Sequence, residues 1–248
     1  VDRVSGWTGV SNPSDAVLGT TKLTDAQLRL FRKESLAKQG SGSTAAIRAG
    51  LLALPGVKSI SMRENVESDP MIVDGLAMPK NSLWVCVDGG VDNDIAAVLL
   101  AAKSCGGGWT FADNPAVGKR VTVSLVDPSS GQTYVLKFSR PDEVKVATHL
   151  QVRSSTSIQQ PQQAVVAAVL DYVNGQMAGE KGFVIGASVS PFERAGAVTT
   201  QIPGMYVKWA GVWVPPAADP GPPNSSDIPI QVWQKATLVA ADIRVEVL

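Results

Sequence analysis

The sequence predicts an α+β protein in which two helix–Pro–Gly–strand units flank a small antiparallel β-rich insert. Two observations lead there. Helix-Leu54-Pro55-Gly56-Val57-strand and helix-Ile202-Pro203-Gly204-Met205-strand are one pattern written twice. Pro cannot continue a helix, Gly takes the left-handed turn, and the chain reverses to lay a strand beside its own helix. Between the two copies, strand-like runs at 121–126 and 133–138 flank Asp127-Pro128-Ser129-Ser130-Gly131, the pattern of a hairpin. Two copies are too few for a solenoid. The expected organisation is an extended arm over 1–22, an α/β unit over 23–106, the insert over 107–153, and a second helix–strand unit with a Pro-rich loop over 154–248. Val1-Asp2-Arg3-Val4 carries neither an initiator Met nor a signal-peptide core, so a longer parent chain is expected.

The elements follow in order. The Gly/Ser/Thr/Pro-rich start has no sustained period and reads as an arm. Thr24-Asp25-Ala26-Gln27 has capping-box spacing, predicting a helix to about residue 39. Gly40-Ser41-Gly42 breaks it, and Ser43 or Thr44 caps a second helix over 45–54, stopped by Pro55-Gly56. Residues 57–63 alternate as a strand with one phase slip at Lys58-Ser59. Residues 83–87 are apolar almost throughout, as in a strand buried on both faces. Asp92 or Asn93 is positioned to cap a helix whose apolar face is Ile95, Val98, Leu99 and Ala102. A strand over 144–152 follows the hairpin and completes a meander. Pro161 opens a helix with Val165, Val166, Val169, Leu170 and Val173 on one side. Ser190-Pro191-Phe192-Glu193 combines capping-box spacing with Pro at the first helical position. Strands are expected at 206–214, 228–233 and 241–247, with a Pro-rich loop over 217–224.

Composition narrows the function. The 248 residues carry 22 basic and 22 acidic side chains, 44% hydrophobic residues and only 18% charged ones, against about 25% in an average soluble domain. A neutral balance offers no field to hold a phosphate backbone, so nucleic acid is not the expected partner. The longest apolar run, 95–102, is far below the roughly 18 residues of a spanning helix, and no membrane insertion is expected. Cys86 and Cys105 form no C-x-x-C and read as small hydrophobes.

Residue types that carry chemistry are scarce. His149 is the only His and lies in a plain strand, where it reads as a packed side chain rather than a base. Gly186-Ala187-Ser188-Val189-Ser190 has Ser where a nucleophile elbow needs its last Gly. Gly118-Lys119-Arg120 lacks the remainder of a phosphate-binding loop. Asp88, Asp92 and Asp94 could gather around a cation, but their spacing misses the calcium-loop pattern and fits helix capping better. Asn224-Ser225-Ser226 is a formal sequon in an expected loop. No catalytic residue, cofactor, metal or small-molecule substrate is expected. Interface candidates are Trp209, Trp213 and Trp233, close to the Pro-rich stretch, and Arg29 and Arg32 on the first helix. The tryptophans fit either a platform for a sugar or protein partner or a cover over the end of the core.

The run from Leu54-Pro55-Gly56-Val57-Lys58 to Arg63-Glu64-Asn65 is followed by Asp74-Gly75-Leu76-Ala77-Met78-Pro79, Val85-Cys86-Val87-Asp88-Gly89-Gly90, Asp94-Ile95-Ala96, Gly131 and Phe138-Ser139-Arg140-Pro141. In this order the motifs resemble the baseplate J-like proteins of contractile phage tails. The resemblance covers most of the chain and departs at Gly19-Thr20-Thr21-Lys22, before the first helix. It implies a wedge component of the virion tail baseplate, assembled in the bacterial host cytoplasm and contacting copies of itself and other wedge proteins. It implies no catalysis. A receptor- or carbohydrate-binding module of a virion, using the Trp cluster, is the alternative.

Overall fold

The computed structural model describes residues 25, 28, 29, 32, 43–102, 107–112, 117–155 and 158–248. The expected arm over 1–22, the Thr24/Gln27 capping box and Cys105 lie outside the described residues. The fold is α+β, built around two sheets, each with helices against it.

The first sheet has five strands. Its centre is β4 (Ser82–Gly89), antiparallel to β1 (Val57–Asn65) on one side. On the other side β4 runs parallel to β5 (Gly108–Thr110) and then to β7 (Thr133–Arg140), which pairs with β6 (Lys119–Val126). Successive β4 side chains enter different cores, as strand alternation requires. Val85 and Val87 meet Ile47 and Leu51 of α1 (Thr44–Leu52) and Ile95 and Leu99 of α2 (Asp92–Ala101). Trp84 and Cys86 meet Leu76 and Met78 of a hairpin formed by β2 (Met71–Val73) and β3 (Leu76–Met78). The expected two-faced burial of this strand is therefore observed. Asn65 secures the hairpin: its amide donates to the carbonyls of Asp69, Met78 and Pro79, and its Oδ1 accepts from Glu67 N.

The second sheet is β10–β9–β12, with β9 (Ala147–Ser154) antiparallel to β10 (Met205–Trp213) and parallel to β12 (Ile243–Val247). Leu150, Val152, Ala210, Val212 and Ile243 form one core with α3 (Pro161–Val173) and α4 (Pro191–Gln201). A short parallel pair, β8 (Asp142–Lys145) with β11 (Gln234–Thr237), lies where the two halves of the chain meet. An apolar cluster spans that junction, with Ile185, Val232 and Trp233 against Leu76, Trp84 and Cys86, and polar contacts add to it: Ile185 N donates to Ser59 Oγ (3.2 Å), Gly118 N to the Asp142 carboxylate (2.9 Å), and Lys235 Nζ to Asp88 (2.7 Å).

Both Pro–Gly turns form as the sequence predicts. Gly56 has φ +78° and Gly204 φ +83°. Val57 N donates to Leu54 O (3.3 Å) and Met205 N to Ile202 O (3.1 Å), the same turn in each copy. The phase slip at Lys58-Ser59 is a β-bulge, since Val57 faces Gly89 and Ser59 faces Asp88. Ser43 caps α1 by accepting from Ala46 N (3.2 Å).

The antiparallel hairpin β6–β7 forms as expected, and it joins the first sheet through Cys86 opposite Ser139, a parallel pairing. Other expectations are corrected. The third meander strand leaves the hairpin after Arg140: β8 pairs with β11, and β9 is the centre of the second sheet. The strand expected at 228–233 is instead a single bridge, Val189 to Ile228, and pairing starts at Gln234. The N-cap of α2 is Val91, with no side-chain capping bond, so neither Asp92 nor Asn93 caps it. Ser190 is the N-cap of α4 but makes no side-chain cap; Glu193 accepts from the Tyr172 hydroxyl (2.7 Å) instead of reaching back.

Candidate functional site

Two of the acidic trio around Gly89-Gly90, Asp88 and Asp92, are bound to cationic side chains of this chain. Arg140, at the end of β7, donates from Nη1 to Val87 O (3.0 Å) and to Gly89 O, and from Nη2 to Gly90 O (2.9 Å) and to Asp92. One guanidinium thus satisfies three carbonyls where β4 stops, and holds the first residue of α2. Asp88 is taken by Lys235, with both side chains mostly buried. Asp94 lies in the first turn of α2, where the helix dipole favours a carboxylate. No group of three or more His, Cys, Asp or Glu among the described residues is arranged to hold a metal ion. Between these charges Cys86 is buried, and burial pushes its thiol far above the usual range.

His149 is buried in β9, and its Nδ1 lies 2.7 Å from Asp219 of the Pro-rich loop. Its Nε2 is 3.6 Å from Glu246 of β12, and Trp209 of β10 meets the ring edge-on at 5.2 Å. Gln151 donates to Glu246 (2.8 Å), Arg244 approaches Asp219 at 3.5 Å, and Gly221 N donates to Asp219 (3.0 Å). Register explains the gathering: Gly211 and Arg244 are the cross-strand partners of His149, so these side chains share the sheet face opposite α3 and α4. The cluster fastens the Pro-rich loop to the sheet, aided by Ser225 Oγ donating to Ala210 O (2.7 Å). The side chains that meet His149 are Asp219, Glu246 and Trp209; no hydroxyl or thiol is among these contacts. Ser188 is exposed in the loop before Val189, and Gly118 N donates to the Asp142 carboxylate (2.9 Å).

A second buried cation lies in α4. Arg194 is fully buried over the Phe183 ring (5.3 Å), donates to Ser190 O, and has Nε and Nη2 without a partner among the described residues. Burial pulls its guanidinium down from the usual arginine range to about 10. Neighbouring Tyr172 is pushed well above the ordinary phenol range, first by burial and then by its bond to Glu193.

The structure separates the interface candidates. Trp209 is half-buried, packed on Gly211 and His149. Trp213 is half-buried opposite Ala147. Trp233 packs over Gly75 beside the core of the β2–β3 hairpin. Arg29 and Arg32 are exposed on the first helix, and Arg29 pairs with Asp25 (2.9 Å).

No protein-family model and no curated protein matches this chain.

One surface that sequence reasoning missed is on β6–β7. Val121, Val123 and Leu125 turn toward α2, while Thr122, Ser124 and Val126, with Thr133 and Val135 of β7, are exposed on the face opposite the helices. Val126 is 60% exposed and Val135 53%. At one end, Phe111 lies under Arg120 (5.3 Å) and Lys137 (5.8 Å). The signal is the alternation of 121–126, which marks a strand without saying which face stays open. Arg140 was missed because three of its four partners are carbonyls, which leave no mark on residue identity. No helix among the described residues is long and apolar enough to cross a membrane.

Proposed function

We propose that this chain is a structural subunit of a multi-protein particle: a baseplate wedge component of a contractile phage tail, assembled in the bacterial host cytoplasm and contacting copies of itself and other wedge proteins. The observation that carries the reading is the uncovered β6–β7 face. It is a patch of small and β-branched residues on an edge of the first sheet, with two valines more than half exposed. Edge strands and apolar patches left open are surfaces for another protein to cover. The family resemblance supplies the kind of particle. The two halves each have their own core and meet through a third apolar cluster, in which Ile185, Val232 and Trp233 join Leu76, Trp84 and Cys86, so the chain offers a partner one firmly joined block.

Imaging the full-length protein in intact tail particles tests this. The expected result is several copies around the tail axis with the β6–β7 face against a neighbour. Substituting Val126→Glu together with Val135→Glu is expected to block incorporation while leaving circular dichroism unchanged. Particles lacking the chain, or incorporation undisturbed by both glutamates, would overturn the reading.

A further inference from the structure

The second Pro–Gly turn opens directly onto a pocket. After Gly204 the chain enters β10, where Tyr206 is the cross-strand partner of Arg153 at the far end of β9. The backbone N–H and hydroxyl of Ser155 both donate to Gly204 O (2.9 and 3.1 Å), fixing the turn to the end of β9. Val207 faces Val152 and Trp209 faces Gln151, so Lys208 is the extra residue of a bulge, the device that re-aims a side chain out of strict alternation. Arg153, Ser155, Tyr206, Lys208 and Leu248 together line a cavity of about 480 Å³. Tyr206 is 59% exposed and Leu248 53%. Neither Arg153 nor Lys208 is in an ion pair among the described residues.

We infer that this pocket receives an acidic segment of a neighbouring protein, with carboxylates on Arg153 and Lys208 and an apolar side chain on Tyr206 and Leu248. The inference rests on the reading of the chain as an assembly subunit and names the chemistry of one contact. Charge complementarity sets the sign of the partner: two uncompensated cations flank the cavity in a chain whose net charge is zero. The walls set its class. A lone small anion would meet only exposed cations, which water screens, and would leave the tyrosine ring and the leucine uncovered. A peptide presenting glutamates beside a leucine buries those carbons and desolvates the charge pairs together, which strengthens both. Arg153 can grip a carboxylate with two parallel N–H groups, while Lys208 acts as a point charge.

The test titrates the full chain with the blocked peptide Ac-Glu-Leu-Glu-Leu-NH2 at low ionic strength, beside the same peptide with glutamine for glutamate, and beside sodium sulfate. Saturable binding of the glutamate peptide is expected, roughly tenfold or more weaker in the Arg153→Glu, Lys208→Glu double variant, and recovered there by a lysine-for-glutamate peptide. Both substituted residues are exposed, and unchanged circular dichroism checks the fold. The inference is overturned by no binding to the wild type, by equal binding of the glutamine peptide, by an undiminished double variant, or by sulfate displacing the peptide more than sodium chloride of equal ionic strength does. The last outcome would mark a site for small anions only. Absence of the wild-type chain from tail particles would overturn the assembly reading while leaving the peptide result intact, so the two failures are distinguishable.

Discussion

At Gly56 and at Gly204 the backbone makes the same turn, with left-handed glycines five degrees apart in φ (+78° and +83°) and the same bond from strand start to helix end. Their surroundings differ completely. The first turn is sealed: a Cβ on Gly89 would lie 2.0 Å from Gly56 O, one on Gly90 2.5 Å from Val57, and Arg140 holds the carbonyls behind them. The second turn packs Ile202 and Met205 on the second core and is hydrogen-bonded to the end of β9, and the strand leaving it carries Tyr206 and Lys208 to the surface. One local sequence pattern thus fixes a chain reversal and nothing more; distant residues decide whether the reversal becomes a locked joint or a rim of a cavity.

The sharpest way to break this comparison is at the glycines. Gly89→Ala combines a left-handed φ of +79° with a backbone collision, and is expected to cost about 3–5 kcal/mol, seen as loss of amide-exchange protection in β1 and β4. Gly56→Ala, whose Cβ would find ordinary contacts at 3.5 Å, and Gly204→Ala should each cost only about 1–2 kcal/mol. If Gly56→Ala proved as damaging as Gly89→Ala, the seal would lie in the turn itself.

Arg140→Ala comes next. It strands three carbonyls and the Asp92 carboxylate at once, and a loss of about 2–4 kcal/mol is expected in chemical denaturation. A smaller contrast lies in the helix starts. Ser43→Ala should cost about 1 kcal/mol, because its hydroxyl caps α1, while Ser190→Ala should cost a few tenths at most, because its side chain caps nothing. The smallest loss is expected for Arg194→Met. This arginine has one carbonyl partner and two N–H groups with none, so exchanging it for an apolar side chain is expected to leave the thermal midpoint unchanged or raised.

What could be read from the chain followed the range of the physics. Turn chemistry is local, so Pro55-Gly56 and Pro203-Gly204 were legible, and the broken alternation at Lys58-Ser59 marked a real bulge. Pairing is not local. Residues 144–152 announced a strand, yet the partners of His149, Gly211 and Arg244, lie 62 and 95 positions away, and nothing in the strand itself names them. The capping signals show the same limit: Asp92 is placed as an N-cap and Glu193 has capping-box spacing, but Arg140 and Tyr172 take their oxygens. The pocket was illegible because Arg153 and Lys208 lie 55 positions apart and only the sheet sets them side by side.

The parallel pairing of β9 with β12 also bears on how the chain is made. Translation delivers residues at about 5–20 per second, so several seconds or more separate the emergence of β9 from that of β12. During that interval the nascent chain can already close the helix-covered side of the first sheet. Leu150 and Val152 must wait beside the ribosome with one flank of their strand unpaired.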